Sequence, residues 1–282
     1  MGVQIVIDST TNINEEIRDD LMIIPLTIQF GEEEYIDGVT INNTEFYQKL
    51  IECDTLPKTS QATPIVFDEV FKEITDAGDT AVIILLSSKL SGTCQSAMIA
   101  AENYEGSIYV VDSMNATVGA GVLAEYAVRL RNSGMDAKTI AETLESRKGD
   151  IRLVALLDTL EYLAKGGRIS SAAAFAGGLL SIKPVVCVEG GEVQVLGKAR
   201  GSKQGNNYLV QEIQKAGGVD FDMPLLLGYS GLSDHLLKKY IEDSKALWEE
   251  SSGELPTTVV GSVIGTHVGP GAIAVSFFAK NK

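Results

Sequence analysis

Residues 80–101 read TAVIILLSSKLSGTCQSAMIAA, and this stretch decides the fold. Residues 81–86 form an unbroken apolar run, which is too short for a globular helix and is typical of a strand covered on both faces. A polar, glycine-containing turn follows, and from Cys94 onward the residues favour a helix. A buried strand, a tight turn and a helix start make up half of a βαβ unit. In sheets of this kind, ligands bind beyond the carboxyl ends of the strands.

The turn at residues 87–93 has hydrogen-bond donors that suit an anionic group. Its backbone N–H groups lie at a helix N-terminus, which favours negative charge. Ser91 and Thr93 add two hydroxyls that can donate. Serine is also a favoured N-cap residue, so helix capping is the more common role for Ser91. The residues alone leave both roles open.

The composition disfavours several classes of protein. The chain has 282 residues, with 23 basic and 38 acidic side chains and a net charge of −15, which argues against nucleic acid or an anionic membrane as the main partner. Its three scattered cysteines and two histidines predict neither a disulfide framework nor a metal site. Without a secretion signal or an apolar segment of membrane-spanning length, we expect a cytoplasmic protein.

Strands and helices alternate along the first 150 residues. The predicted strands, besides residues 81–86, are 3–7, 22–30 and 108–111. The predicted helices are 14–21, 43–51, 65–77, 118–131 and 136–148. This alternation indicates an α/β fold with a mainly parallel sheet and helices on both faces. The polar turns at residues 8–11, 87–93 and 112–113 are expected to share one edge of that sheet.

The segment TLPKTSQATP at residues 55–64 is predicted to be a loop with a defined path. Two prolines and several hydroxyl residues favour that interpretation. Thr59 lies outside any core pattern, so its hydroxyl is free to contact a ligand.

The pattern changes near residue 150, which predicts two domains, residues 1–150 and 151–282. The strands predicted in the second domain are 151–157, 184–189, 192–196, 224–228, 257–264 and 272–278, and Gly190-Gly191 predicts a hairpin turn. The predicted helices are 159–164, 206–215 and 233–250, with an exposed loop at 198–203. Residues 170–182, SSAAAFAGGLLSI, predict a helix buried all round, with room beside it for another backbone or for an apolar ligand.

Residues 265–271, GTHVGPG, are predicted to form a rigid turn. His267 lies between its glycines, where a binding role and a structural role are equally expected.

Five motifs together resemble the DegV family. They are VIDSTTN (6–12), KTSQATP (58–64), SSKLSGT (87–93), LEYLAKGGRIS (160–170) and GTHVGPG (265–271). The resemblance implies a two-domain α/β protein that encloses one long-chain, palmitate-like fatty acid between its domains. It also implies a bacterial carrier with neither a cofactor nor catalytic residues of its own. Such a carrier presents the carboxylate to a separate fatty acid kinase subunit, which makes acyl phosphate for phospholipid synthesis, and contacts membrane enzymes at most transiently.

The resemblance also implies which residues hold the carboxylate. Hydroxyls of the TSQ and LSGT motifs hold it in the family, and they match Thr59 and Ser91. The full set of implied ligand-binding residues is Thr59, Ser60, Ser91, Gly92, Thr93, Arg168 and His267. Cys94 departs from the family pattern, in which an aromatic residue such as tyrosine is expected.

Two other functions compete with the carrier hypothesis. A serine hydrolase would use Ser91 as nucleophile, His267 as base and the N–H groups of the turn as oxyanion hole. The chain has no GxSxG motif, and Gly228-Tyr-Ser-Gly is only a near match. A nucleotide-binding domain would also suit hydroxyl-rich turns, but neither GxxxxGK[ST] nor GxGxxG is present. The carrier therefore ranks first and the hydrolase second.

Overall fold

The computed structural model describes residues 2–169, 182–251 and 253–280. The strands in chain order are β1 (Val3–Asp8), β2 (Leu21–Ile24), β3 (Thr27–Phe30), β4 (Glu33–Ile36), β5 (Lys58–Ser60), β6 (Thr80–Leu85), β7 (Ile108–Asp112), β8 (Ile151–Leu156), β9 (Ile182–Glu189), β10 (Glu192–Arg200), β11 (Leu225–Tyr229), β12 (Thr257–Val259) and β13 (Ile273–Phe278). The α-helices are α1 (Asn43–Glu52), α2 (Pro64–Asp76), α3 (Thr93–Ala101), α4 (Thr117–Asn132), α5 (Ala137–Arg147), α6 (Glu161–Lys165), α7 (Gly201–Lys215), α8 (His235–Asp243) and α9 (Ser262–Val268). Short 3-10 helices lie at Glu15–Asp20, Glu102–Tyr104, Lys148–Asp150 and Lys245–Leu247.

Strand β6 is at the centre of a four-stranded parallel sheet in the order β2-β1-β6-β7. Residues 81–85 are fully buried, because α2 and α3 cover one face of the sheet while α4 and α5 cover the other. The predicted parallel sheet with helices on both faces is confirmed. The turns after β1 and β6 meet at one edge, where the buried Asp8 carboxylate accepts hydrogen bonds from the N–H groups of Thr10 and Leu86, both at 2.8 Å.

Pro25 divides the strand that the sequence predicts at residues 22–30. Strand β2 belongs to the parallel sheet, whereas β3 is the central strand of a small antiparallel sheet in the order β4-β3-β5. Proline has no N–H to donate to a ladder, so the chain leaves the first sheet there. Strand β5 forms the edge of the small sheet, with Thr59 opposite Ile28. The loop predicted at residues 55–64 therefore contains a short strand.

The strands after residue 150 form a six-stranded sheet in the order β10-β9-β8-β13-β11-β12. Its neighbouring strands are antiparallel except for β11 and β12, which run parallel. Helices α7 and α8 pack on one face of this sheet, and α4 packs on the other. Helix α4 thus contacts both large sheets, so the predicted division into domains at residue 150 stays a prediction.

Two predictions in the second half are wrong, a third is too long because the helix predicted at residues 233–250 ends as α8 at Asp243, and a fourth is not described. The strand predicted at residues 257–264 ends at Val259, and α9 occupies the end of that segment and the start of the predicted turn. A short apolar run suits a strand or a buried helix equally, and here packing against α1 and α6 decides for a helix. Residues 198–203 form the end of β10 and the start of α7 rather than a loop. The helix predicted at residues 170–182 lies outside the described residues, except that Ile182 begins β9.

The β9–β10 hairpin confirms the predicted Gly190-Gly191 turn and ties the two halves of the chain together. Both glycines have positive φ angles, +59° and +84°. The carbonyl oxygen of Gly191 accepts a hydrogen bond of 2.7 Å from the hydroxyl of Ser87, in the turn after β6. A Cβ atom at Gly191 would lie 2.5 Å from that hydroxyl oxygen, whereas one at Gly190 would meet nothing within 4 Å.

We expect Gly191→Ala to destabilise the protein more than Gly190→Ala. Both variants force alanine into the left-handed region, at about 1–2 kcal/mol each. Gly191→Ala also presses Cβ against Ser87, and overpacking of this kind adds about 1–3 kcal/mol. Urea unfolding of the two variants measures the difference. Equal losses would show that the hairpin tip is not held against the Ser87 turn.

Candidate functional site

A cavity of about 380 Å³ lies beside the turn that follows β6. Both halves of the chain line it, and its polar residues lie close to one another. Six of the seven residues implied by the resemblance line this cavity, namely Thr59, Ser60, Ser91, Gly92, Arg168 and His267. The position at the end of a parallel strand is where an open α/β sheet usually binds its ligand.

Thr59 and His267 meet although 208 residues separate them. The Thr59 hydroxyl oxygen lies 3.0 Å from Nε2 of His267, at hydrogen-bond distance. Strand β5 positions Thr59, and α9 positions His267 one residue before the helix ends. Helix α9 is fixed from the other side by the Tyr47 hydroxyl, which donates to the carbonyl oxygen of Val260 at 2.9 Å.

The His267 ring is largely buried against the turn after α6. Burial, together with the positive charge of Arg168, lowers the pKa of His267 to about 4. Its Nδ1 atom is buried and has no hydrogen-bond partner among the described residues. A Cβ atom at Gly166 would lie 2.4 Å from Nδ1, so the first glycine of the KGGR motif allows the ring to approach the backbone. At neutral pH, His267 is therefore an uncharged ring.

Ser91 and Thr93 lie in the same turn, but only Ser91 reaches the cavity. The Ser91 hydroxyl lies on the cavity wall, 2.9 Å from the Thr93 hydroxyl, and accepts a hydrogen bond from the Thr93 N–H at 3.3 Å. Thr93 is fully buried and does not line the cavity. The N-cap position of α3 belongs to Gly92 rather than to Ser91. Thr93 can thus act on a ligand only through Ser91.

Arg168 joins two of the turns at the cavity. Its Nη1 donates to the carbonyl oxygen of Gly166 at 2.6 Å, and its Nε donates to the carbonyl oxygen of Leu90 at 3.2 Å. The side chain is exposed and lines the cavity near Ser91. It supplies a positive charge to the site while connecting the KGGR and SSKLSGT motifs.

Gln61 is a candidate that the sequence reasoning missed. It lines the cavity next to Ser60, and its amide nitrogen donates to the hydroxyl of Ser96 at 3.0 Å. Its presence in the TSQ motif beside Thr59 was the available signal. The side-chain amide brings one more potential donor to the polar end of the cavity.

The apolar wall comes mainly from one face of the six-stranded sheet. Strands β8, β9 and β13, with the residues just beyond them, supply Leu153, Ala155, Leu157, Val186, Cys187, Val188, Ala272, Ile273 and Ala274. The sequence analysis expected residues 170–182 to leave room for an apolar ligand and did not identify this face of the sheet. Residues 151–157 and 272–278 are nearly continuous apolar runs, so no local signal marked which of their faces lines a cavity.

The geometry does not assemble a hydrolytic dyad from Ser91 and His267. Among the described residues, Ser91 bonds with Thr93 and the His267 ring with Thr59, and no hydrogen bond joins Ser91 to His267. A ring with a pKa near 4 is also a weak base at neutral pH.

The described part of the chain contains no group of three or more His, Cys, Asp or Glu side chains placed to hold a metal ion. Within the same residues, no helix has the length and apolar character needed to cross a membrane.

Comparison with known proteins places the chain in a family. The family model described as "Uncharacterised protein, DegV family" matches residues 2–280. The chain belongs to the DegV family. The resemblance inferred from the five motifs is confirmed.

Relatives in the DegV family match along the whole chain. A DegV domain-containing protein of Caldanaerobacter subterraneus subsp. tengcongensis is 34% identical over 284 residues, covering 99% of each chain. A solved DegV family structure from Thermus thermophilus, described by its fatty acid binding, has a TM-score of 0.88 at 29% identity and covers 99% of this chain and 100% of its own. A stearic-acid-binding protein from Eubacterium ventriosum has a TM-score of 0.86 at 26% identity, covering 98% of this chain and 97% of its own.

We expect the stability of this DegV-family chain to fall, relative to its His267→Gln variant, as the pH drops from 6.5 to 4. The folded state favours the neutral imidazole, whereas the unfolded chain takes up a proton near pH 6.5. The stability that His267 contributes is therefore complete above pH 6.5 and is lost as the pH approaches 4, by at most about 3 kcal/mol. Urea unfolding at pH 7, 5.5 and 4 measures this change.

His235 provides the matched control, because it is exposed and is the chain's other histidine. The His235→Gln variant is measured at the same three pH values, and its difference from the wild type gives the effect of removing an exposed histidine. If the stability of His267→Gln changes with pH in the same way as that of the wild type, the His267 ring is not desolvated in solution.

Proposed function

We propose that this protein binds one long-chain fatty acid, with the carboxylate at the polar end of the cavity and the acyl chain along the apolar sheet face. It presents that carboxylate to a separate fatty acid kinase subunit, which forms acyl phosphate for phospholipid synthesis in the cytoplasm. The protein itself performs no chemistry. Solved DegV family structures that bind fatty acids support the ligand class. The observation that carries the proposal is the convergence of Thr59, Ser91 and His267 at one end of a mainly apolar cavity.

The polar end suits a carboxylate because it offers several donors and one positive charge. Hydroxyls of Thr59 and Ser91, the amide of Gln61 and the guanidinium of Arg168 all reach the cavity wall. A carboxylate removed from water needs such donors, since an unsatisfied buried charge is strongly unfavourable. Local donors are required here because the chain's net charge of −15 would repel an anion.

The apolar face supplies most of the affinity in this proposal. About twelve buried methylene groups at about 0.8 kcal/mol each contribute on the order of 10 kcal/mol. Association costs on the order of 4–15 kcal/mol offset part of this gain. Because the wall is apolar and lacks directional contacts, we expect the head group to decide the ligand class and the tail to decide how tightly it binds.

The exposed position of the polar end supports a presenting role. Ser60, Gln61 and Arg168 are exposed to solvent, whereas most of the sheet residues of the wall are buried. A phosphoryl donor held by a second protein must reach a carboxylate oxygen directly, since transfer requires the nucleophile in line with the donor. In this proposal, the residues up to 150 and those beyond it form the two domains that enclose the ligand.

We expect the purified protein to carry a long-chain fatty acid at close to one per chain. A cavity with an apolar wall favours an acyl chain over water. Mass spectrometry of an organic extract of denatured protein measures the bound lipid. A protein that releases no lipid and also binds none on addition would contradict the carrier function.

We expect Thr59→Val and Ser91→Ala each to weaken binding of palmitic acid about 5- to 150-fold. Each removes one hydroxyl from a desolvated anion, a loss of about 1–3 kcal/mol. Because both hydroxyls serve one group, their effects should be non-additive in the double variant. Hexadecanol, which has no carboxylate, should bind the wild type and the Ser91→Ala variant about equally. Isothermal titration of both ligands measures these affinities.

Ser88→Ala is the control, because Ser88 is in the same turn but does not line the cavity. This variant should bind palmitic acid like the wild type. If Thr59→Val and Ser91→Ala also leave the acid affinity unchanged while folding normally, the carboxylate binds elsewhere.

A further inference from the structure

The segment GYSG at residues 228–231 forms the end of β11 and the residues just beyond it. Strand β11 lies between β12 and β13 in the six-stranded sheet, with Tyr229 opposite Val259 on one side and opposite Ile273 on the other. The chain leaves β12 at Val259 and enters β13 at Ile273, so residues 260–272 cross over this end of β11. We call residues 260–272 the α9 connection, because they contain helix α9.

Ser230 makes four hydrogen bonds to the last part of the α9 connection. Its hydroxyl donates to the carbonyl oxygen of Gly269 at 2.6 Å and accepts from the N–H of Ala272 at 2.8 Å. Its backbone N–H donates to the carbonyl oxygen of Ala272 at 3.0 Å, and its carbonyl oxygen accepts from the N–H of Gly271 at 2.9 Å. Ser230 is only 2% exposed, so water does not compete for these bonds.

The residue before Ser230 holds the other end of the α9 connection. The carbonyl oxygen of Tyr229 accepts a hydrogen bond of 2.7 Å from the N–H of Val260. Two consecutive residues at the end of β11 therefore fix both ends of the connection. The position of α9 between those ends depends on them.

The contacts of Ser230 do not suit a nucleophile. A nucleophilic serine needs a base within hydrogen-bond reach and access to its substrate. The Ser230 hydroxyl is buried and donates its proton to a backbone carbonyl oxygen instead. The near match of GYSG to a nucleophile motif thus leaves Ser230 with another role to explain.

The turn that Ser230 holds begins two residues after His267. Gly269 is the C-cap of α9, and its N–H donates to the carbonyl oxygen of Gly265 at 2.8 Å. Ser230 does not line the cavity, whereas His267 does. The bond between Nε2 of His267 and the Thr59 hydroxyl is 3.0 Å long. A displacement of the ring by about 0.6 Å would stretch it to about 3.6 Å, which is too long for a hydrogen bond.

We propose that Ser230 is a positioning residue for the polar end of the cavity. It fixes the turn after α9 and thereby holds the His267 ring at hydrogen-bond distance from Thr59. This inference rests on the proposed function and adds to its binding residues one that touches no ligand. Ser230 therefore contributes to recognition of the carboxylate and not to the apolar contacts of the acyl chain.

The test compares Ser230→Ala with a matched variant, Ser244→Ala. The Ser244 hydroxyl is also buried, donates to the carbonyl oxygen of Tyr240 at 2.6 Å and accepts from Nε1 of Trp248 at 2.9 Å. Ser244 does not line the cavity. Both variants therefore lose a buried hydroxyl with two hydrogen bonds, but only Ser230 is bonded to the α9 connection.

Isothermal titration with palmitic acid and hexadecanol measures the two effects. Ser230→Ala should weaken the acid more than about fivefold and the alcohol less than about twofold, because only the acid uses the polar end. Ser244→Ala should change neither affinity more than about twofold. If Ser244→Ala weakens the acid as much as Ser230→Ala does, the loss reflects general destabilisation and the proposal is wrong. If Ser230→Ala weakens both ligands equally, Ser230 shapes the apolar wall and the proposal is again wrong.

A double-mutant cycle tests whether Ser230 acts through His267. In a His267→Gln background, Ser230→Ala should weaken palmitic acid by less than about twofold, because the ring that it positions is already absent. A purely structural role would give the same loss in both backgrounds. Equal losses with and without His267 would overturn the proposal.

Ser230→Cys serves as a second variant if Ser230→Ala does not fold. The thiol keeps the shape of the side chain but is a weak donor and a weak acceptor. It should weaken palmitic acid more than about twofold and leave hexadecanol unchanged, and a cysteine variant with wild-type affinity for the acid would contradict the proposal. If the wild type binds palmitic acid but the variants bind it equally well, only the positioning role is wrong. If the wild type binds no acid, the proposed function fails and the positioning role fails with it.

Discussion

Burial of the first part of helix α4, residues 117–125, on all sides is the constraint on which the structure depends. Side chains such as Val118, Val122 and Leu123 point in different directions around this helix and are all buried. A helical segment without an exposed polar side must be covered all round. The parallel sheet covers it on one side and the six-stranded sheet on the other, so a single core joins the two halves of the chain.

The N-terminal end of α4 links this core to the cavity. Thr117 lines the cavity and has a φ angle of +46°, an unfavourable conformation for a β-branched residue. Its hydroxyl donates to the side-chain oxygen of Asn12 at 2.7 Å, in the turn after β1. Strained residues of this kind persist where the surroundings hold them, and they concentrate at functional sites. The packing of α4 and the shape of the cavity are therefore parts of one arrangement.

Contacts between the two halves of the chain surround the cavity. Thr59 meets His267, Arg168 meets the backbone of Leu90, and Ser87 meets the backbone of Gly191. Each pair contains one residue from before position 150 and one from after it, and each uses a hydroxyl or a guanidinium group. Directional polar contacts fix how the halves meet, while the apolar faces between them leave space. The cavity therefore has a polar end of fixed geometry and an apolar remainder without directional contacts. An amphiphilic ligand requires both parts.

The sequence by itself determined the elements whose signals are local. The apolar run at residues 81–86 predicted the central strand, Gly190-Gly191 predicted the hairpin, and motifs with hydroxyl, arginine and histidine side chains pointed to most of the polar residues at the cavity. Only the tertiary structure decided that residues 262–268 are helical, because this short segment carries no periodicity of its own and packs against α1 and α6. It likewise decided that the TSQ motif forms an edge strand beside β3, and that Thr93 lies behind Ser91 rather than at the cavity. The apolar wall was also beyond local reasoning, since it depends on which strands pair and on which of their faces meets the cavity.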